Sequence, residues 1–110
     1  VTVRTAKLGV VTPLAATWVN VCTVPSGQTF LVKDIRWINA GGATDTLSIR
    51  ARTPGGLQVQ LIYALSVGAS TTGFWTGWVA LVPSDVLEVF ASLGTSTFWV
   101  SGTKLQGVAP

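Results

Sequence analysis

Few residues in this chain could do acid–base or metal chemistry. Asp34, Asp45, Asp85 and Glu88 are its only carboxylates, histidine is absent, and Cys22 is the single cysteine. Only Asp85 and Glu88 stand close in sequence. A carboxylate pair flanking a glycosidic bond is the chemistry that such a spacing would serve. Asp85, however, follows Pro83-Ser84, where an aspartate is ordinary turn chemistry. Glu88 falls on the strand beyond it, as an outward residue solvating that strand. Serine and threonine are plentiful, but a hydroxyl nucleophile needs an activating base within reach. Lys104 is the one candidate partner for a Ser–Lys pair, and no spacing supports it. Hard cations want several oxygens at one point, and a phosphate-cradling glycine loop wants a helix N-terminus after it. Neither pattern occurs. No catalytic residue, cofactor site or metal site is expected, and the chain reads as non-enzymatic. Cys22 sits in an apolar strand-like run, where a thiol behaves as a small buried hydrophobe.

The basic residues are Arg4, Lys7, Lys33, Arg36, Arg50, Arg52 and Lys104, giving a net charge of +3. They are scattered, without the clustered stripe of a nucleic-acid binder, so a nucleic-acid partner is not expected. Arg50 and Arg52 share one strand face. With Arg36 on a nearby strand they form a candidate basic face for an acidic partner; the alternative is a solvated outer sheet surface. The aromatics say more. Adjacent pairs such as Phe74–Trp75 and Phe98–Trp99 must point to opposite faces of a strand, so one member of each leaves the core. With Phe98 and Val100 inward, Trp99 is outward, and Phe90 points out beside Glu88. Trp75 (or Phe74), Trp78, Phe90 and Trp99 are the candidate interface set, since aromatics are enriched at interface centres. A carbohydrate platform is the other use of such rings; it requires hydrogen-bonding side chains nearby, and these are expected to be sparse.

The elements that must position these residues are strands. Hydrophobic residues make up 48% of the 110 residues and charged residues 10%, against about 25% charged in an ordinary domain. Mean hydropathy is +0.55. That is more apolar surface than one small domain needs to fold, and a partner subunit is the expected cover. Short runs rich in Val, Ile, Thr, Phe and Trp alternate with Gly/Pro/Ser turns, and no segment keeps a helical period. Strands are expected over 2–8, 17–23, 29–39, 46–52, 58–65, 73–81, 86–93, 97–101 and 103–107. A bulge is expected where the alternation slips between Leu31 and Ile35, and another at Gly102. Leu47, Ile49 and Ala51 should face in, as should Val59, Leu61, Tyr63 and Leu65, and Leu87, Val89 and Ala91. The expected fold is all-β: a single antiparallel β-sandwich over residues 1–110, jelly-roll-like, with residues 1–16 as a candidate N-terminal arm. An immunoglobulin-like sandwich gives the same periodicity. No apolar stretch approaches the length of a membrane-spanning helix, and no signal peptide is read. The start at Val1 fits a removed initiator methionine and synthesis in a cytoplasm.

Three segments carry a resemblance: TVPSGQTFLVKDIRWINAGG (Thr23–Gly42), LVPSDVLEVFAS (Leu81–Ser92) and FWVSGTKLQG (Phe98–Gly107). Their turn-then-strand pattern resembles small β-sandwich virion proteins of tailed bacteriophages, of the head-decoration or tail-associated type. Ser84 departs from it, standing where glycine is frequent. The resemblance implies a structural protein of the particle, made in the bacterial host cytoplasm. Such a protein associates with itself, as a trimer or hexamer, or with other virion proteins. It implies no binding residue, because the shared motifs are fold-determining turns. The rival expectation is a receptor- or carbohydrate-binding module at a tail tip.

Overall fold

The computed structural model describes residues 2–107. Eight strands account for most of them: β1 (Thr2–Val11), β2 (Thr17–Thr23), β3 (Gln28–Asn39), β4 (Asp45–Arg52), β5 (Gln58–Val67), β6 (Thr72–Leu81), β7 (Val86–Ala91) and β8 (Ser96–Gln106). There is no helix among the described residues. Turn chemistry separates the strands. Gly27 and Gly56 supply φ values of 78° and 90°, and Gly56 N–H donates to the Thr53 carbonyl to close the β4–β5 hairpin. Ser84 takes φ 75°, the left-handed conformation for which glycine is the usual choice. The Asp85 carboxylate steadies that turn by accepting the Val82 N–H at 3.1 Å.

Two four-stranded sheets result, ordered β1-β8-β3-β6 and β2-β7-β4-β5. β1 pairs with β8, β2 with β7, β3 with β6 and β4 with β5, all antiparallel. The chain is thus one long hairpin ribbon, its tip between β4 and β5. Rolling the ribbon up adds the β3–β8 and β4–β7 pairings. That order is a jelly roll and excludes the immunoglobulin alternative, in which strands 1, 2, 5 and 4 share a sheet.

Inward residues of both sheets form the core: Phe30, Val32, Ile35, Trp37, Leu47, Ile49, Leu87, Val89, Ala91, Phe98 and Val100 are all buried. The expected slip in β3 is a bulge at Lys33, skipped in the pairing with β8. β8 itself runs unbroken through Gly102, so the bulge expected there lies on its partner instead. Gly102 is needed because β3 passes so close: a Cβ would sit 1.9 Å from the Leu31 carbonyl oxygen. Residues 2–11 are no free arm. They form the edge strand β1, extending three residues beyond the expected end at Leu8; Val1 lies outside the described residues.

β5 departs most from simple alternation. It carries one extra residue at Leu61, opposite the Ile49–Arg50 step, and another at Tyr63–Ala64, where Ala64 has φ 53°. Residues directly opposite each other share a face. Val59, Ile62 and Leu65 oppose the inward-facing Ala51, Ile49 and Leu47. Tyr63, expected inside, is exposed. Leu61 does reach the core margin.

The close passage at Gly102 makes a sharp test. Gly102→Ala should cost about 3 kcal/mol or more, since overpacking against backbone has nowhere to relax. Gly42→Ala, where an added Cβ meets nothing within 4 Å, should stay within about 0.5 kcal/mol of wild type. Urea unfolding midpoints of the two variants check both.

Candidate functional site

The four aromatics of the candidate interface do not share a surface. Trp75 faces the core side of β6, and Phe74 takes the outward place. The reason is local. Gly73, Trp75 and Gly77 alternate on the inner face, and both glycines are bare so that indoles can lie over them. A Cβ at Gly73 would come 2.5 Å from Trp37, and one at Gly77 would come 2.8 Å from Trp75. Trp78 and Trp99 do point out from the first sheet, 71% and 49% exposed. Phe90 points out from the second sheet, on the opposite side of the molecule. There it packs against Trp18 with ring centroids 5.4 Å apart.

The candidate basic face is divided in the same way. Arg50 and Arg52 lie on the outer face of the second sheet, and both are taken up by Glu88. Arg50 Nε donates to one carboxylate oxygen at 2.8 Å, and Arg52 donates to the other at 3.1 Å. Arg50 also stacks on Trp18, 3.8 Å from the ring centre, and reaches Gln58 at 3.3 Å. Glu88 is therefore buried beneath two guanidinium groups and is not the solvated residue expected. With Asp85 holding its turn, the two acids serve separate structural ends. This face is largely closed upon itself: Trp18 and Phe90 pack together and Glu88 holds both arginines, while Tyr63 of β5 stays exposed.

The outer face of the first sheet is different. One cross-strand row runs Val10, Trp99, Arg36, Phe74. Above it lie Thr97, Ile38 and Thr72, and below it Lys7, Ser101, Asp34 and Thr76. Each exposed ring carries a cation: Lys7 over Trp99 at 5.2 Å, Lys33 over Trp78 at 4.6 Å and Arg36 over Phe74 at 5.6 Å. Arg36 Nε donates to Asp34 at 3.2 Å, the one ion pair found on this face among the described residues. Between Trp99 and Phe74 lies a groove of about 610 Å³, lined by Arg36, Ile38, Thr72 and Thr97 as well as the two rings.

A third exposed region lies where the sheets end at β5 and β6. On the opposite seam the sheets close up: a Cβ at Gly9 of β1 would come within 2.6 Å of the Val21 carbonyl of β2. β5 and β6 scarcely touch. As a result Val59 and Leu65, on the inner side of β5, remain 63% and 38% exposed. A cleft of about 270 Å³ opens there, with Leu57, Val59, Val79, Leu81, Arg52 and Asp85 in its walls.

No family model matches the chain, and no curated protein does. Among solved structures it is similar to a chain in the structure of infectious bursal disease virus Gt strain. The match has a TM-score of 0.38 and 8% identity over 96% of this chain, which spans 31% of that chain's length. No helix among the described residues is long and apolar enough to cross a membrane. No group of three or more His, Cys, Asp or Glu side chains among them could hold a metal ion.

Two buried polar residues escaped the sequence reading. Asn39 and Asp45 are fully buried at one end of the sandwich. The Asn39 amide donates to the Ala43 carbonyl at 2.8 Å and to the Val67 carbonyl at 3.2 Å; its oxygen accepts from Gly41 N–H and the Thr95 hydroxyl. Asp45 accepts from the Thr46 and Leu93 N–H groups and from the Ser92 and Ser96 hydroxyls. A polar residue at a strand end is so common that nothing in the sequence marked these two. Cys22 is buried as expected, and that burial pushes its thiol up to about 11, leaving it protonated and inert near neutrality.

Asp45 yields a pH dependence. Burial alone would raise its carboxyl, but the hydrogen bonds from Ser96, Leu93, Ser92 and Thr46 outweigh it and hold the carboxyl below the usual value of 3.8. A group depressed in the folded state stabilises fully above its unfolded value and loses that contribution as pH falls through the folded one. Urea midpoints of the wild type should therefore fall below about pH 4. Asp45→Asn should be less stable by about 1–3 kcal/mol at neutral pH, with a shallower acid limb. Parallel acid limbs would assign the loss to other carboxylates.

Proposed function

We propose that this chain is a non-enzymatic structural protein of a bacteriophage particle. It decorates or stabilises the capsid, or forms part of the tail, by joining copies of itself or docking on a lattice of other virion proteins. The observation that carries the assembly is the open seam. A jelly roll closed along β1–β2 and unsealed along β5–β6 leaves core-facing apolar residues in water, where they gain by being covered. Burying apolar area is worth roughly 25 cal/mol per Å², and symmetric assembly multiplies such contacts through avidity. The virion setting is supported by the resemblance of Thr23–Gly42, Leu81–Ser92 and Phe98–Gly107. These segments form β3 and β7 with their entry turns and most of β8, three of the four strands in the central pairs β3–β8 and β4–β7. The engagement of both oxygens of Asp45 and of Glu88 supports the non-enzymatic reading. A binding module at a tail tip is the second reading, favoured by the groove between Trp99 and Phe74.

Native mass spectrometry across a dilution series tests the assembly. The wild type should give a discrete trimer or hexamer that survives dilution. Val59→Lys, at an already exposed position, should give a monomer that still unfolds cooperatively, its thermal midpoint lowered by the lost assembly alone. A monomeric wild type, or an oligomer indifferent to the lysine, would overturn the seam as the contact.

A further inference from the structure

We infer that the outer face of the first sheet binds an acidic polysaccharide in the groove between Trp99 and Phe74. This goes beyond the assembly reading and does not depend on it, because the groove and the seam use different surfaces. The argument begins with what is left unmatched. On the second sheet, Glu88 answers Arg50 and Arg52, and Trp18 covers Phe90. On the first sheet Lys7, Lys33 and Arg36 face a single acid, Asp34, three cations to one against two to one on the second sheet, so this face carries the larger positive surplus. Asp34 engages Arg36 through Nε only. Among the described residues the two terminal guanidinium nitrogens make no hydrogen bond, and that end of the fork is free to take a carboxylate.

The rings and hydroxyls narrow the ligand further. Trp99 and Phe74 stand on strands either side of β3, hence about 10 Å apart from the ordinary strand spacing. Both are exposed, at 49% and 62%. Arg36, in the same cross-strand row, lies between them. Thr97 and Thr72 stand in the next row along the groove, and Thr12 is hydrogen-bonded to Thr97 at 2.7 Å. A sugar ring has an apolar C–H face, a rim of hydroxyls and, in a uronic acid, one carboxylate. Aromatic faces, threonine hydroxyls and a half-free guanidinium answer those three features in turn. The hydroxyls that a carbohydrate platform requires are thus present, gathered by register from β8 and β6. The volume of about 610 Å³ falls in the range of small-ligand sites. A single-stranded nucleic acid would also stack, but it calls for a basic groove that follows the backbone. Here Arg36 is the only cation lining the groove.

The test is a titration of the full chain, followed by amide and indole NMR shifts. The probe is an α-1,4-linked tetramer of galacturonic acid, with its methyl ester and an oligothymidylate as comparisons. The galacturonate should shift Thr72, Phe74, Thr97 and the Trp99 indole, with a dissociation constant of about a millimolar or tighter. The ester and the Arg36→Gln variant should each bind about tenfold more weakly, and Trp99→Ala should abolish the shifts. Both side chains are exposed, so neither change threatens the fold. Val59→Lys should bind as the wild type does, which separates this site from the assembly contact. No shift with galacturonate would overturn the site, as would equal binding of the ester or of oligothymidylate. Shifts at these residues that depend on protein concentration alone would make a second copy the occupant and overturn it too.

Discussion

A rolled-up sandwich has two seams, and keeping water out of both is the constraint on which this molecule turns. Each seam lies between the edge strands of two sheets. At β1–β2 the solution is a missing side chain: Gly9 lets the two backbones close to contact. At β5–β6 nothing equivalent exists. β6 uses its two bare inner positions, Gly73 and Gly77, to accommodate the indoles of Trp37 and Trp75. Those rings lie over β6 itself, and β5 and β6 scarcely touch. The exposed Val59 and Leu65 are the direct outcome. The exposed apolar residues are therefore not spread evenly: Leu57, Val59 and Leu65 lie along this seam, and Val10, Ile38, Phe74, Trp78 and Trp99 on the outer face of the first sheet.

The polar residues follow a complementary logic. A sandwich this short in charge has few groups with which to fix its loops, and two of them do most of it. Asn39 ties the end of β3 to the turn after it, to the end of β5 and to the loop entering β8. Asp45 ties the start of β4 to the loop leaving β7. Together they gather one end of the roll. An amide and a carboxylate this deeply buried are tolerable because nearly every lone pair and N–H is answered. Glu88 does the same on the outer face of the second sheet, where two arginines offset its burial. Asp45 and Glu88, so thoroughly bonded, are poor candidates for proton transfer.

The strands were legible in the sequence because turn residues are chemically distinctive. Val24-Pro25-Ser26-Gly27, Thr53-Pro54-Gly55-Gly56 and Val82-Pro83-Ser84-Asp85 each stop a strand for a stated steric reason, and β2 matches its expected bounds. Inward faces were legible wherever alternation was unbroken, as for Leu87, Val89 and Ala91. Two things were not. Alternation says which side of a strand a residue occupies but not which sheet the strand joins. That is why Phe90 parted from Trp78 and Trp99, and Arg36 from Arg50 and Arg52. A bulge also reverses the alternation without any marker: Leu61 and Ala64 are unremarkable residues, yet they turned Tyr63 outward. Trp75 was the recoverable error. Glycines two places before and after a tryptophan on one strand are room made for indoles, and they identify the inner face.

The two outer faces carry the functional argument furthest, because they are built from the same materials and finished differently. Both hold tryptophan, phenylalanine and arginine in cross-strand contact. On the second sheet a third ingredient, the buried carboxylate of Glu88, engages both arginines, and ring packs on ring. On the first sheet the acid is Asp34, which meets only the Nε edge of one arginine, and each ring is left with a cation over it and water beside it. Cation–π contacts at exposed sites are worth only about 0.5–1 kcal/mol, so they hold the side chains in place weakly enough to be exchanged. Stability alone would favour finishing both faces like the second. An open, positively charged, aromatic face opposite a closed one is therefore what remains to be explained by binding, and the seam between β5 and β6 what remains to be explained by assembly.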